Sequence, residues 1–300
     1  MSQPDIPFPQ SPVMPTMVEG DYSIQFQCRR GIDCWNACCS NIDITLTPYD
    51  VVRLKRRLGI SSTEFLREYT VPYEMEKDGL AGVKYKPVDG GTACRFMQPE
   101  GCGVYADRPT ACRYYPVALL SMRKQDESVD RDSYALVKEE HCHGHAQPRS
   151  ISIDAYRQEQ GLPEYDELAR GWRQLVLKKK SSGPSVGQPS LRSRQLFFMA
   201  CYDIDVFREF VSAESFAGVF ALSAEETESF KDDVALLQFA FRFLKQVLFG
   251  EQTIALKEEV AQARLQAVRE KRLAEEREAA AKLLREEEGP ATAADEGFDD

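Results

Sequence analysis

The sequence predicts an α+β fold. A small cysteine-cluster domain of short strands, helices and long metal-braced loops comes first. A mainly helical region and a long, solvated C-terminal helix follow. Three observations predict this. Eight of the nine cysteines precede residue 150. The stretch from Cys94 to Pro116, CRFMQPEGCGVYADRPTACRYYP, is too poor in aliphatic residues to be fixed by burial, and metal-bound thiolates would brace it economically. Beyond residue 150 the apolar positions recur with a helical period.

The elements follow in order. Residues 1–20 are Pro-rich and read as a disordered lead without the basic and apolar regions of a secretory signal. Residues 21–150 make the cysteine-cluster domain. Tyr22 to Gln27 alternates and predicts a short strand that delivers Cys28, and Ile42, Ile44 and Leu46 predict a second. Thr47 as N-cap, Pro48 in the first helical position, Asp50 in the first turn and a closing Gly59 bound a helix with the apolar face Val51, Val52, Leu54 and Leu58. Ser61 and Glu64 are spaced as a capping box for a second helix that turns Phe65, Leu66 and Tyr69 inward. Val71 to Thr92 predicts one or two hairpins, Val117 to Leu120 a short apolar piece, and Ser121 to Asp132 a loop.

Residues 151–194 hold helices at Ile153–Gln160 and Tyr165–Lys178, then a Gly/Ser/Pro linker. Residues 195–250 are helical, through Gln195–Met199, Asp203–Ala213 and Ala224–Phe249. The apolar run Val234–Phe249 carries Arg242 and Lys245 and reads as a buried or interface helix. Residues 251–288 are rich in Ala, Glu, Lys and Arg with thin apolar content, as in a solvated single helix or a weak coiled coil. Residues 289–300 read as a disordered acidic tail.

A net charge of −10 and a pI near 5.1 argue against nonspecific nucleic-acid binding. No run of apolar residues is long enough to predict a membrane-spanning helix. Nine cysteines without an export signal favour thiols or metal thiolates over disulfides, and an odd number leaves one unpaired in any all-disulfide scheme. The cytoplasm is the expected location. Gly-rich phosphate loops, a GxSxG elbow and HExxH are absent.

The expected metal ligands are Cys34, Cys38, Cys39, Cys94, Cys102 and Cys112, then Cys28 and Cys142. Cys34 and Cys38 can reach one centre, while the adjacent Cys39 is expected to serve another partner or an adjacent iron. Eight thiols exceed the four that one zinc or one cubane cluster takes. Two centres, one centre with surrounding thiols, and one centre with a redox pair all remain open. Cys201 reads as a core residue, and His141, His143 and His145 as exposed. Arg108 and Arg113 read as much as packing and pairing residues as a means of recognising an acidic substrate.

GCGVYADRPTACRYYP resembles the signature of the YkgJ-type cysteine-cluster family of zinc- or iron-chelating proteins. The matching residues are Gly101, Cys102, Tyr105, Arg108, Pro109, Cys112, Arg113, Tyr115 and Pro116. The family's CxxCxxCC element corresponds to Cys28, Cys34, Cys38 and Cys39, with looser spacing here. TPYDVVRLKRRLG with the following EFL, and ACYDIDVFREFV at Ala200–Val211, are similar to further family segments. The resemblance implies a zinc-filled or oxygen-sensitive cysteine site in a cytosolic bacterial protein, and a kinship with flagellin lysine methylases.

Three functions are therefore expected in turn. The first is a [4Fe–4S] iron–sulfur centre with a redox or cluster-dependent role. The second is a Zn-stabilised module that recruits a protein partner through the helical C-terminal half. The third is a lysine methyltransferase-like enzyme.

Overall fold

The computed structural model describes residues 17–75, 79–122, 131–181 and 189–287. Most of the Pro-rich lead, the centre of the 121–132 segment, most of the Gly/Ser/Pro linker and the acidic tail lie outside these residues. The described chain falls into two compact units. One runs to Ala213 and resumes over Ser223–Ile254, and the other comprises Glu214–Leu222 and the chain from Ala255 onward.

The fold is α+β, as expected. In the first unit β1 (Ser23–Gln25) and β2 (Thr45–Leu46) precede α1 (Pro48–Leu58) and α2 (Ser62–Tyr69). Thr47 and Asp50 close a full capping box on α1, and Gly59 ends it with a left-handed backbone at φ 68°. Ser61 Oγ accepts the Glu64 amide at the start of α2, whose Phe65 is fully buried. The predicted hairpin is β3 (Thr70–Met75) with β4 (Leu80–Tyr85), and β2 pairs with the other edge of β4. β5 (Met97–Gln98) and β6 (Gly101–Cys102) form a small ribbon inside the cysteine-rich stretch, followed by α3 (Thr110–Tyr114).

Val117 to Leu120 resolves as extended chain. β7 (Val117–Met122) pairs with β8 (Arg131–Leu136), so both ends of the predicted 121–132 loop are strand. β9 (Ser150–Ser152) pairs antiparallel with β1, which brings residues 23–25 against 150–152. α4 (Ile153–Glu159), α5 (Leu162–Ser181), α6 (Leu191–Tyr202) and α7 (Ile204–Ser212) follow. α8 (Glu214–Ala217) belongs to the second unit.

The expected helix from Ala224 to Phe249 is two helices, α9 (Ala224–Ser229) and α10 (Asp233–Phe249). The break comes where Asp232 turns its carboxylate onto the amides of Val234 and Ala235 and caps a new helix. α10 buries Leu236, Leu237, Phe239, Ala240, Phe241, Phe243 and Leu244, so its apolar character serves the core. It packs against α5, α6, α7 and α1. In the second unit α11 (Glu258–Glu287) starts later than Glu251, because Ala255–Lys257 is extended and pairs with Val219–Ala221. Leu265, Val268 and Leu273 on α11 are exposed. Among the described residues no helix is long and apolar enough to cross a membrane.

Polar contacts fasten the later helices to α1. Lys55 Nζ lies 2.5 Å from Asp205 Oδ1 on α7, and Arg56 Nε donates to Asp233 Oδ2 on α10 at 2.8 Å. The α1 side chains below the cysteine-rich stretch are therefore held from two sides. Arg53 Nε and Nη2 grip Asp107 Oδ1 at 2.9 and 2.6 Å, which ties α1 to the turn before α3.

Candidate metal centre

The upstream cysteines sit on a tight path. Ala37 N donates to Cys34 O, and Cys39 N to Asn36 O, which winds residues 37–39 into one 3-10 turn after a left-handed Asn36 at φ 65°. Asn is tolerated there because its short amide fits a positive φ. The Asn36 side chain then donates to Gln98 O at 2.7 Å, which carries the turn to the β5–β6 ribbon. Cys94 N donates to Cys39 O at 2.8 Å, and Ile42 N to Thr92 O at 2.9 Å, so the two distant cysteine segments run side by side. Gly101 at φ 131° turns the ribbon where an added Cβ would meet the Trp35 ring at 3.0 Å.

Cys28 and Cys142 arrive from the other side. Gln27 N donates to Gly144 O at 3.1 Å and Phe26 N to Arg149 O at 3.0 Å. Gly144 presses so closely on Phe26 that a Cβ would lie 2.5 Å from the ring, so only glycine fits. His143 N donates to Cys34 Sγ at 3.3 Å. Cys142 and Tyr115 pack on a core of Ile24, Phe26, Tyr114, Val117, Tyr134, Ile153, Tyr156 and Leu162.

The two signature arginines are structural clamps. Arg113 donates to the carbonyls of Arg108 at 2.9 Å, Gln160 at 2.6 Å and Ala106 at 2.5 Å, and its guanidinium lies 4.2 Å from the Tyr165 ring centroid. Arg108 holds Tyr105 O and Gln160 Oε1 and covers the Tyr105 ring. Among the described residues neither has a carboxylate partner, and carbonyl capture takes the place of the expected ion pairing. A loop poor in aliphatic residues is fixed by these donors.

The electrostatics of the sulfurs follow from their crowding. Burial, then the charges of Cys38, Cys34 and Cys142, push the Cys28 thiol up to about 11. Cys38 is lowered to about 7 by the hydrogen bond from Cys39, whose sulfur lies 3.9 Å away, and the same bond pushes Cys39 far up. Cys112 is raised by burial and then by Cys94, Cys102 and Cys38. Burial also raises Cys94 and Cys102, against the pull of nearby amides. These sulfurs repel one another as thiolates, and a cation among them would remove that cost.

All eight expected ligands therefore lie on segments that meet, and Cys201 does not join them. It is buried in α6, where burial alone raises its thiol. His141 and His143 are exposed as expected, but His145 is half-buried. Its Nε2 lies 3.1 Å from Val137 O and its ring 5.3 Å from that of Phe26, so it packs rather than solvates. Among the described residues no three His, Cys, Asp or Glu side chains stand close enough together to hold a metal ion as placed. The sulfurs share a neighbourhood without being at coordination distance.

Two residues were not marked by sequence reasoning as part of the site. Asp50, read as a first-turn acid, is fully buried and receives Thr110 of α3. Tyr85, at the end of β4, is 5 % exposed, and its hydroxyl is buried with no hydrogen-bond partner among the described residues. Burial first, then the charges of Cys112, Cys94, Asp50 and Cys102, push that hydroxyl well up. A buried donor left over beside three thiols fits a site built for an added anion or metal-bound sulfur. Strand alternation signals that Tyr85 turns inward, but not that its hydroxyl lacks a partner.

Fold and site together define a thiol-rich domain with eight cysteines on converging segments. Residues 27–143 match the sequence model of the CxxCxxCC family, described as a putative zinc- or iron-chelating domain. Over that stretch the chain is similar to this family, and the YkgJ-type resemblance is to the same domain. No curated protein and no solved structure matches the chain.

Proposed function

We propose that this protein holds a thiolate-ligated metal centre, with ligands drawn from Cys28, Cys34, Cys38, Cys39, Cys94, Cys102, Cys112 and Cys142, and that the group is a [4Fe–4S] cluster with a redox or cluster-dependent role. The observation that carries this reading is the convergence of four separate segments that bear eight cysteines. Both zinc and a cubane cluster accept four thiolates. The cluster is favoured by the amides that face Cys34, Cys94 and Cys102. Amide donors to sulfur are one lever by which proteins tune such clusters. Bound there, the cluster would supply one-electron chemistry. The chain's own part is to bring the cysteine-bearing segments together and to keep the loop rigid through Arg108, Arg113 and Asp50.

Thiolate ligands must stay reduced, which suits a reducing compartment such as the cytoplasm. Anaerobic purification with metal and acid-labile sulfide analysis tests the proposal. Iron with matching sulfide and a broad visible absorption that dithionite bleaches is the expected result. Zinc without sulfide would replace the cluster with a structural zinc site and shift the role toward binding a protein partner through the helices. The methyltransferase reading has only the family kinship behind it, and a calorimetric titration without adenosylmethionine binding would remove it.

A further inference from the structure

One zinc or one cubane uses four thiolates, so a single centre would leave four of the eight sulfurs without a metal. We propose that the eight divide into two four-thiolate metal sites, Cys28, Cys34, Cys38 and Cys142 at one and Cys39, Cys94, Cys102 and Cys112 at the other. The proposal rests on the thiolate-centre reading above and adds the number of centres and the ligands of each.

Each group is gathered by its own backbone bonds. In the first, Gln27 N to Gly144 O seats Cys28 beside the turn that follows Cys142, and His143 N reaches Cys34 Sγ from the same turn. Ala37 N to Cys34 O then winds the chain directly to Cys38. In the second, Cys94 N to Cys39 O aligns those two residues, and Thr92 Oγ1 to Ser40 O holds the alignment at 2.9 Å. Met97 pairs with Cys102 across the β5–β6 ribbon while Met97 N donates to Cys94 O, which joins the Cys102 strand to the turn that starts at Cys94. Cys112 is delivered two residues after Thr110, whose amide and hydroxyl are locked on Asp50.

The charges at the thiols run within each group and cross between them only at Cys38 of the adjacent pair Cys38-Cys39. The sulfurs that act on Cys28 are Cys38, Cys34 and Cys142, and those that act on Cys39 are Cys38, Cys94 and Cys112. Cys38 also faces Cys94, Cys102 and Cys112. Cys38 thus borders both groups, and the bond from Cys94 N to Cys39 O seats Cys39 in the second and leaves Cys38 to the first. The adjacent pair Cys38-Cys39 is the seam at which the ligands part. Each site also has one buried tyrosine hydroxyl beside it, Tyr115 near Cys142 and Tyr85 near Cys94, Cys102 and Cys112.

Metal stoichiometry of the full chain, reconstituted anaerobically with iron and sulfide or with zinc alone, decides the matter. The expected content is about eight irons or about two zincs per chain. The double variants Cys28→Ser/Cys142→Ser and Cys94→Ser/Cys102→Ser should each retain about half of it. Saturation of the unmodified chain at about four irons or about one zinc would overturn the two-site division and leave the thiolate centre standing. Loss of all metal in either double variant would do the same. Failure of the unmodified chain to bind either metal would overturn both readings. The unmodified chain alone decides if a variant is insoluble.

Discussion

Asp50 Oδ1 accepts both the backbone amide and the hydroxyl of Thr110, each at 2.8 Å, and so ties the first turn of α1 to the first turn of α3. The other oxygen accepts the Thr47 amide at 2.8 Å and completes the helix cap. Burial pushes the Asp50 carboxyl up, while the donors on Thr47 and Thr110 pull it down. Asp50→Ala would strand three donors inside the protein and should cost about 3 kcal/mol or more. Asp50→Asn keeps one acceptor toward Thr110 and should cost about 1–2 kcal/mol. Urea midpoints read both, and metal content should fall with Asp50→Ala because Cys112 loses its anchor. Equal midpoints for both variants and the unmodified chain would refute the tie.

Arg113 makes a second prediction. Its guanidinium reaches three carbonyls on different faces and stacks on Tyr165. A lysine ammonium can satisfy one carbonyl but cannot fork among three. Arg113→Lys should therefore cost about 2 kcal/mol and speed metal release, although the charge is kept. A stability equal to that of the unmodified chain would mean that charge alone matters there.

Much of this was legible in the sequence, and the reason is local punctuation. Thr47, Pro48, Asp50 and Gly59 announce α1 because caps act over three or four residues. The cysteine segments declared themselves by composition, since little else could hold them. What escaped was set by contacts distant in sequence. Nothing near residues 230–232 says that Asp232 will break a helical run, because the run also satisfies the periodicity. Nor does the sequence pair Gln27 with Gly144, or Asp50 with Thr110. The partition of sulfurs and the leftover Tyr85 hydroxyl appear only once those segments meet.

Cys201 gives a third prediction, and a control. It lies fully buried in α6 with only burial acting on its thiol. Cys201→Ser puts a hydroxyl where a weakly polar sulfur sat and should destabilise the protein by about 1–3 kcal/mol. Metal content should be unchanged. Lost metal would place Cys201 in the site after all.

The contact of α7 with α1 predicts a pH dependence. Burial pushes the Asp205 carboxyl up, but Lys55 at 2.5 Å and the Ser62 amide at 2.7 Å outweigh it and hold it below the ordinary carboxylate range. A folded-state value below the unfolded one stabilises the protein above the unfolded value, about 4, and this contribution is lost as the pH falls through the lowered one. Asp205→Asn should therefore flatten the acid limb of a stability profile below about pH 4. An acid limb identical to that of the unmodified chain would exclude Asp205 from it.

Tyr85 gives the prediction that separates a metal site from a mere cluster of thiols. Its hydroxyl is buried without a partner beside Cys94, Cys102 and Cys112, a state that costs about 1–3 kcal/mol. In the metal-free chain Tyr85→Phe removes that cost, so stability should hold or rise. In the loaded chain the hydroxyl can donate to a metal-bound sulfur, and the same substitution should then weaken the site. Metal release to a chelator should speed up about 10–100-fold, the usual effect of deleting a partner behind a ligand. The opposite signs matter, because a packing residue would move both forms the same way. Destabilisation of the metal-free chain, with release from the loaded chain unaltered, would make Tyr85 a core aromatic and nothing more.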